Sequence, residues 1–186
     1  RGRGYVPYTV GFDQSFRERF GYSLVENLPA LFYDMPASFK VRHDYWRHVS
    51  QQFTNAYTRQ IYEWCCKNGL ASTGHFLYEN ELGQATRMNG AVMPHYMYQH
   101  IPGIDLLCDQ TDEYLTVLQC VSAARQTGRK FVISEMYGCT GWAFDFEGQR
   151  RLGDWQFVLG VNLRCQHLAL YSLAGCRKRD FPPCFN

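Results

Sequence analysis

Four short apolar runs limit what this chain can fold into. They are LASTGHFLYE (Leu70 to Glu79), IDLLCD (Ile104 to Asp109), KFVISEMYG (Lys130 to Gly138) and VNLRCQHLALYSL (Val161 to Leu173). Helical patterns precede and separate them. From Val41 to Lys67, apolar or aromatic residues recur at Val41, Tyr45, Val49, Phe53, Tyr57, Ile61 and Trp64, at helical spacing, and Asn68-Gly69 supplies a stop. Met93 to His100 reads as helical or irregular. Asp112 to Gln126 reads as a helix stopped by Gly128, and Phe146 to Leu159 as a helix ended by Gly160. The opening RGRGYVPYTVGFDQSF is loop-like, and FRERFGYSLVENLPALFYD reads as short helices broken at Pro29.

Strands that are apolar along their whole length are buried on both faces, and their alternation with helices predicts parallel β/α units. No glycine-rich phosphate loop follows the first strand, so a doubly wound nucleotide fold is disfavoured. A complete (β/α)8 barrel takes about 250 residues, and this chain has 186 with four strands in view. The expected fold class is α/β, the C-terminal part of a (β/α)8 barrel. The expected domain organisation is one segment, 1–186, a partial catalytic barrel domain of a larger protein. The start at Arg1 and the stop at Pro-Pro-Cys-Phe-Asn look like cuts in a longer chain.

Composition narrows the function. A formal charge of +2 is too small to argue for nucleic acid. The one basic cluster, Arg177, Lys178 and Arg179, reads as a solvated turn. No apolar run reaches the roughly 20 residues of a membrane span. The eight cysteines are even in number, but Cys65 and Cys66 are adjacent, Cys108 and Cys165 sit in strand-like runs, and CxxC is missing. They read as mostly reduced core thiols, which favours a cytoplasmic setting and argues against structural zinc. Aromatics make up 16% of the chain, which suits stacking on sugar rings as well as core packing.

In β/α barrels the chemistry sits at the carboxyl ends of the strands. Those ends supply His75, Glu79 and Glu81 from the first run, Asp105 and Asp109 from the second, Glu135 and Tyr137 from the third, and His167 and Tyr171 from the fourth. Glu79 and Glu135 end strands two β/α units apart, and paired carboxylates facing one bond are what glycoside hydrolysis requires. A glutamate ending a strand is also often only a solvated residue. Glu81 competes with Glu79, being on the same face of an extended segment. Glu147 competes with Glu135, but it fits better as an opener of the following helix. His75 and His167 fit acid/base, ligand or structural roles. A metal hydrolase would draw on His75, Glu79, Asp105 and His167, yet HxH and HExxH are missing. Trp142, in a glycine-rich loop, fits a sugar platform, whereas Trp155, in a helical stripe, fits core packing.

The stretches FGYSLVENLPALF, RHDYWRHVSQQFTNAYTRQIYEWCCKNGL, TGHFLYENEL, PGIDLL, SEMYGCTGW and GVN…H…YS resemble the catalytic barrel of glycoside hydrolases. The resemblance is to the α-L-rhamnosidase-like group and, more distantly, to β-galactosidase-type barrels. It implies Glu79 as general acid and Glu135 as base or nucleophile. His75, Asp105, Tyr137, Trp142, Asn162 and His167 would line the sugar pocket. It also implies a carbohydrate substrate, no cofactor, and further barrel and β-sandwich domains in the same polypeptide. β-Galactosidase-type barrels place Asn directly before the acid. Here Tyr78 precedes Glu79 and Asn80 precedes Glu81, so Glu81 stays open as the acid. Carboxylates about 5–5.5 Å apart would retain anomeric configuration and about 6.5–9.5 Å would invert it; the resemblance tilts towards inversion. The alternatives are a non-catalytic sugar-binding or scaffold protein on a degenerate barrel, and a metal-dependent hydrolase.

Overall fold

A computed structural model describes residues 5–141, 143–167, 172, 174 and 175. Trp142, Tyr171, the Arg177–Arg179 cluster and residues 168–171 of the fourth apolar run lie outside them.

The chain opens with helix α1 (Phe12–Phe20), a 3-10 turn (Val25–Asn27) and the short α2 (Pro29–Phe32). Two sequence expectations change here. The helix begins at Phe12, inside the stretch read as loop, because Phe12 and Phe16 bury one face against α3 (Ser38–Phe53). Pro29 starts α2 instead of breaking a helix, since a first-turn position needs no amide donor. Phe12, Phe16, Leu24, Ala30, Val41 and Tyr45 close this N-terminal core.

The long helical stripe is real but interrupted. After α3 the chain makes a π turn at Thr54–Thr58 and continues as α4 (Arg59–Lys67). Both Thr54 and Thr58 are buried there. The Thr58 hydroxyl sits 2.6 Å from His95 Nδ1, and His95 Nε2 lies 3.0 Å from the Asn89 carbonyl. A carbonyl only accepts, so Nε2 carries the proton and Nδ1 accepts from Thr58. Burial lowers the His95 pKa, in keeping with that neutral form.

Strand β1 (Thr73–Gly74) comes next, then helices α5 (Leu82–Asn89) and α6 (Met93–Tyr96). β2 (Ile101–Asp105), α7 (Tyr114–Gln126), β3 (Ile133–Met136), α8 (Phe146–Leu159) and β4 (Leu163–Gln166) complete the order. The four strands form one sheet, β1-β2-β3-β4, with every neighbouring pair parallel. The α/β class and the alternation therefore hold, and α8 spans the residues read from sequence. β1 is much shorter than the run LASTGHFLYE, because the chain turns back at residues 77–80, where Tyr78 takes a positive φ of 57°.

Ile104, Leu106, Val117, Cys120, Val121 and Val132 form the core between sheet and helices, with Trp155 partly buried against it. The cysteines only half follow expectation. None of the described cysteines is in a disulfide, and Cys65 and Cys120 are buried, but Cys66, Cys108, Cys139 and Cys165 are exposed. Cys108 lies beyond the end of β2, not inside it. No helix among the described residues is long and apolar enough to cross a membrane.

One close approach fixes how α5 meets α3. Gly90 caps α5 at φ 80°, and a Cβ there would stand 2.5 Å from the Ser50 Cα. Replacing Gly90 with Ala combines backbone strain with a clash against a main chain that has little room to shift. The expected loss is about 2–4 kcal/mol of stability, read as a lowered urea midpoint. A midpoint equal to wild type would show that α5 and α3 are not held this closely.

Candidate active site at the strand ends

The turn after β1 folds Glu79 back under the sheet mouth. Its side chain is 3% exposed and accepts three hydrogen bonds. Oε1 takes the Tyr96 hydroxyl at 2.5 Å and the Phe76 amide at 3.0 Å. Oε2 takes the Asp105 amide at 3.3 Å. The Glu79 carbonyl accepts from Gln119 Nε2 at 2.9 Å. Burial pushes the Glu79 pKa up to about 7, against the pull of these hydrogen bonds, and the charge of Asp105 adds to the rise. The same burial, with Glu79 beside them, raises the Tyr96 hydroxyl and the Cys120 thiol.

Above Glu79, each strand contributes one group to a mixed cluster. His75 follows β1, Asp105 ends β2, Glu135 lies in β3, and His167 follows β4. Asp105 and Glu135 are register partners across the β2–β3 pair. His75 faces both carboxylates, with Nε2 3.7 Å from Asp105 Oδ2 and Nδ1 3.8 Å from Glu135 Oε2. His167 Nε2 is 3.9 Å from Glu135 Oε1. These are charge-pair distances, longer than good hydrogen bonds, so the groups adjoin without being locked together. The side chains of His75, Asp105 and Glu135 are 40%, 32% and 24% exposed, so the cluster is open to solvent. His167 is nearly buried, and Gly138 makes its room: a Cβ there would lie 2.4 Å from the imidazole Cδ2.

Four of the residues singled out from sequence thus come together, with Glu79 beneath them. Others go elsewhere. Asn162 stands at the opposite end of β4, where Oδ1 accepts from the Val132 amide and Nδ2 donates to the Lys130 carbonyl, both at 2.8 Å. It clips the entrances of two strands and does not reach the cluster. Tyr137 is buried beside Met136 and Leu152, turned towards α8. Glu81 is exposed at the start of α5, where it accepts from Gln84. The segment between it and Glu79 is a turn and not extended, which separates the two carboxylates. Asp109 pairs with Arg151. Glu147 lies in the first turn of α8, as its position suggested.

Sequence reasoning missed Tyr96 and Gln119. Both are buried polar residues on helices, and only their contact with Glu79 marks them; no spacing pattern points to either. A further sign of specialisation is backbone strain. The four described non-glycine residues with positive φ, Tyr78, Cys108, Tyr137 and Cys139, all lie in the loops leaving β1, β2 and β3. Such strain gathers at functional sites.

Among the described residues, no group of three or more His, Cys, Asp or Glu has the geometry to hold a metal ion. A cavity of about 930 Å³ lies in the helical layer between Arg19, Arg42, Trp46 and Met97 and contains none of the strand-end residues. No known protein family, curated protein or solved structure matches the chain.

A raised carboxyl pKa means that the folded chain holds the proton more tightly than the unfolded chain. The Glu79 contribution is therefore full below its ordinary value of 4.5 and is lost as pH rises towards about 7. The loss is of order 3 kcal/mol. Tyr96→Phe removes a hydrogen bond that favours the ionised form, so the decline should extend to higher pH. Urea denaturation across this window, with Glu79→Gln as the flat reference, checks both. A Tyr96→Phe profile identical to wild type would count against the Tyr96–Glu79 bond.

Proposed function

We propose that this chain is the C-terminal part of a (β/α)8 barrel of a glycoside hydrolase. It would cleave a terminal sugar, rhamnoside-like or galactoside-like, by a two-carboxylate mechanism. The observation that carries the reading is the division between two carboxyl groups at strand ends two steps apart in the sheet, after β1 and in β3. Glu79 is buried and holds its proton to about pH 7, as a general acid needs. Glu135 sits in the open cluster between two histidines. It either activates a water or attacks the anomeric carbon. His75, Asp105 and His167 surround it and would bind sugar hydroxyls.

Sequential parallel β/α units support the barrel reading, because strands added in chain order are how such barrels grow. The resemblance of the TGH-x3-E and SE-x-YG-x3-GW segments to the α-L-rhamnosidase-like barrels supports the substrate class.

The rival reading is a sugar-binding or scaffold protein on a degenerate barrel. One observation favours it: Glu79 is enclosed, with three donors already on its carboxylate. The experiment that separates the two is a screen of aryl glycosides, rhamnoside and galactoside included, with sugar binding followed by calorimetry. Glu135→Gln should lower turnover by about 10²–10⁴-fold while sugar binding persists. Wild-type turnover in that variant overturns the assignment of Glu135, and sugar binding without turnover in the native protein selects the scaffold reading.

A further inference from the structure

The enclosure of Glu79 poses a problem for acid catalysis. A general acid must come within about 2.6–3.2 Å of the oxygen it protonates. Glu79 is 3% exposed, and each of its carboxylate oxygens already accepts a hydrogen bond. Asp105 lies between it and the open cluster. Its amide is bound to Glu79 Oε2, and its side chain is one-third exposed opposite Glu135 on the next strand. One of its oxygens, Oδ2, faces His75. The other, Oδ1, is buried with no hydrogen-bond partner. A buried carboxylate oxygen without a donor is costly. A neutral neighbouring carboxyl group is a donor of the kind it lacks. Glu79 Oε1 is occupied by two strong donors, so the proton belongs on Oε2, the oxygen bound to the Asp105 amide.

We propose that Asp105 is the carboxyl group that touches the glycosidic oxygen, and that Glu79 is a positioning residue acting through it as a buried proton store. The inference rests on the glycosidase reading above. In the step, the proton held by the Glu79–Asp105 pair passes through Asp105 to the glycosidic oxygen. The C1–O bond breaks, and its electron pair stays on the departing oxygen. Water adds to C1 and gives its proton to Glu135. The pair is then doubly ionised and Glu135 is protonated. His75, between Glu135 and Asp105, returns that proton and restores the starting state. Glu113, whose pKa is raised by burial and by the charge of Asp105, His167, beside Glu135, and Tyr96 and Cys120, beside Glu79, are the other titratable groups facing this set.

The test compares two glycosides of the sugar that the native protein turns over best. One has a phenyl leaving group, which needs protonation, and the other has a dinitrophenyl group, which does not. Asp105→Asn should lose about 10²–10⁴-fold in kcat on the phenyl glycoside and far less on the dinitrophenyl one. Glu79→Gln should show the same split. Tyr96→Phe keeps both carboxyl groups and should move the alkaline limb of kcat/KM to higher pH. A purely structural role predicts equal losses on both substrates and no movement of that limb; either result overturns the proposal. So does a Glu79→Gln split without an Asp105→Asn split, since Glu79 would then act directly. If Asp105→Asn does not fold, Asp105→Ser with added formate decides the matter: formate should restore turnover of the phenyl glycoside, and no restoration overturns the role of Asp105. A native protein inactive on every glycoside overturns the glycosidase reading, and the proposal falls with it.

Discussion

The Glu79 carboxyl group joins separate pieces of chain at one point. It fixes the amide of Phe76 at the exit of β1, the amide of Asp105 at the end of β2, and the hydroxyl of Tyr96 on α6. Its own carbonyl is held by Gln119 on α7. An ionised carboxylate in this place would cost far more than a neutral one. Burial and three donors act in opposite directions, and burial wins, so the group is held near the point where it gains or loses its proton. Every strand-end position around it inherits this anchoring. Asp105 stands beside Glu135 by strand register, with its amide tied to Glu79, and His75 follows the same short strand that Glu79 folds back to close.

Parallel register then does the rest of the assembly. With strands in sequential order, one side chain per strand reaches the same edge of the sheet. Asp105 pairs with Glu135, and Glu135 with Cys165 one position before the end of β4. The His167 amide donates to the Met136 carbonyl at 2.8 Å, which extends the ladder just past the strand and sets the imidazole against Gly138. A Cβ at Gly138 would take the imidazole's place, so the Tyr-Gly sequence after Glu135 matters for His167 on the next strand. The turn serves its neighbour more than its own glutamate.

The sequence announced this much of the fold because the signals were local. Apolar periodicity placed α8 to the residue and α7 to within two residues at its start, and continuous apolar runs identified parallel strands. It failed where a residue's neighbour in space decides. The turn at Tyr78 is set by the burial of Glu79, which no local pattern encodes. The π turn depends on His95, far along the chain. The resemblance implied that Asn162 lines the sugar pocket with His167, but β4 separates the two residues, and the two ends of a strand lie at opposite edges of the sheet. Tyr96 and Gln119 carried no signal at all, since a buried tyrosine or glutamine on a helix reads as ordinary until its partner is known.

Strain completes the site's physical logic. Tyr78, Cys108, Tyr137 and Cys139 all hold positive φ, at a cost of roughly 1–2 kcal/mol each for side chains with a Cβ. The surroundings offset that cost at specific contacts. The Tyr137 ring is buried with Met136 and Leu152, and the Cys108 amide bonds to the Gly138 carbonyl at 2.8 Å, lacing the loop after β2 to the loop after β3. Relaxing either loop would separate Asp105 from Glu135, because those residues end the strands from which the loops spring. The strained backbone and the closely spaced carboxylates are therefore one arrangement. The helical core that keeps the loops in this shape also keeps Asp105 and Glu135 in register at the ends of β2 and β3.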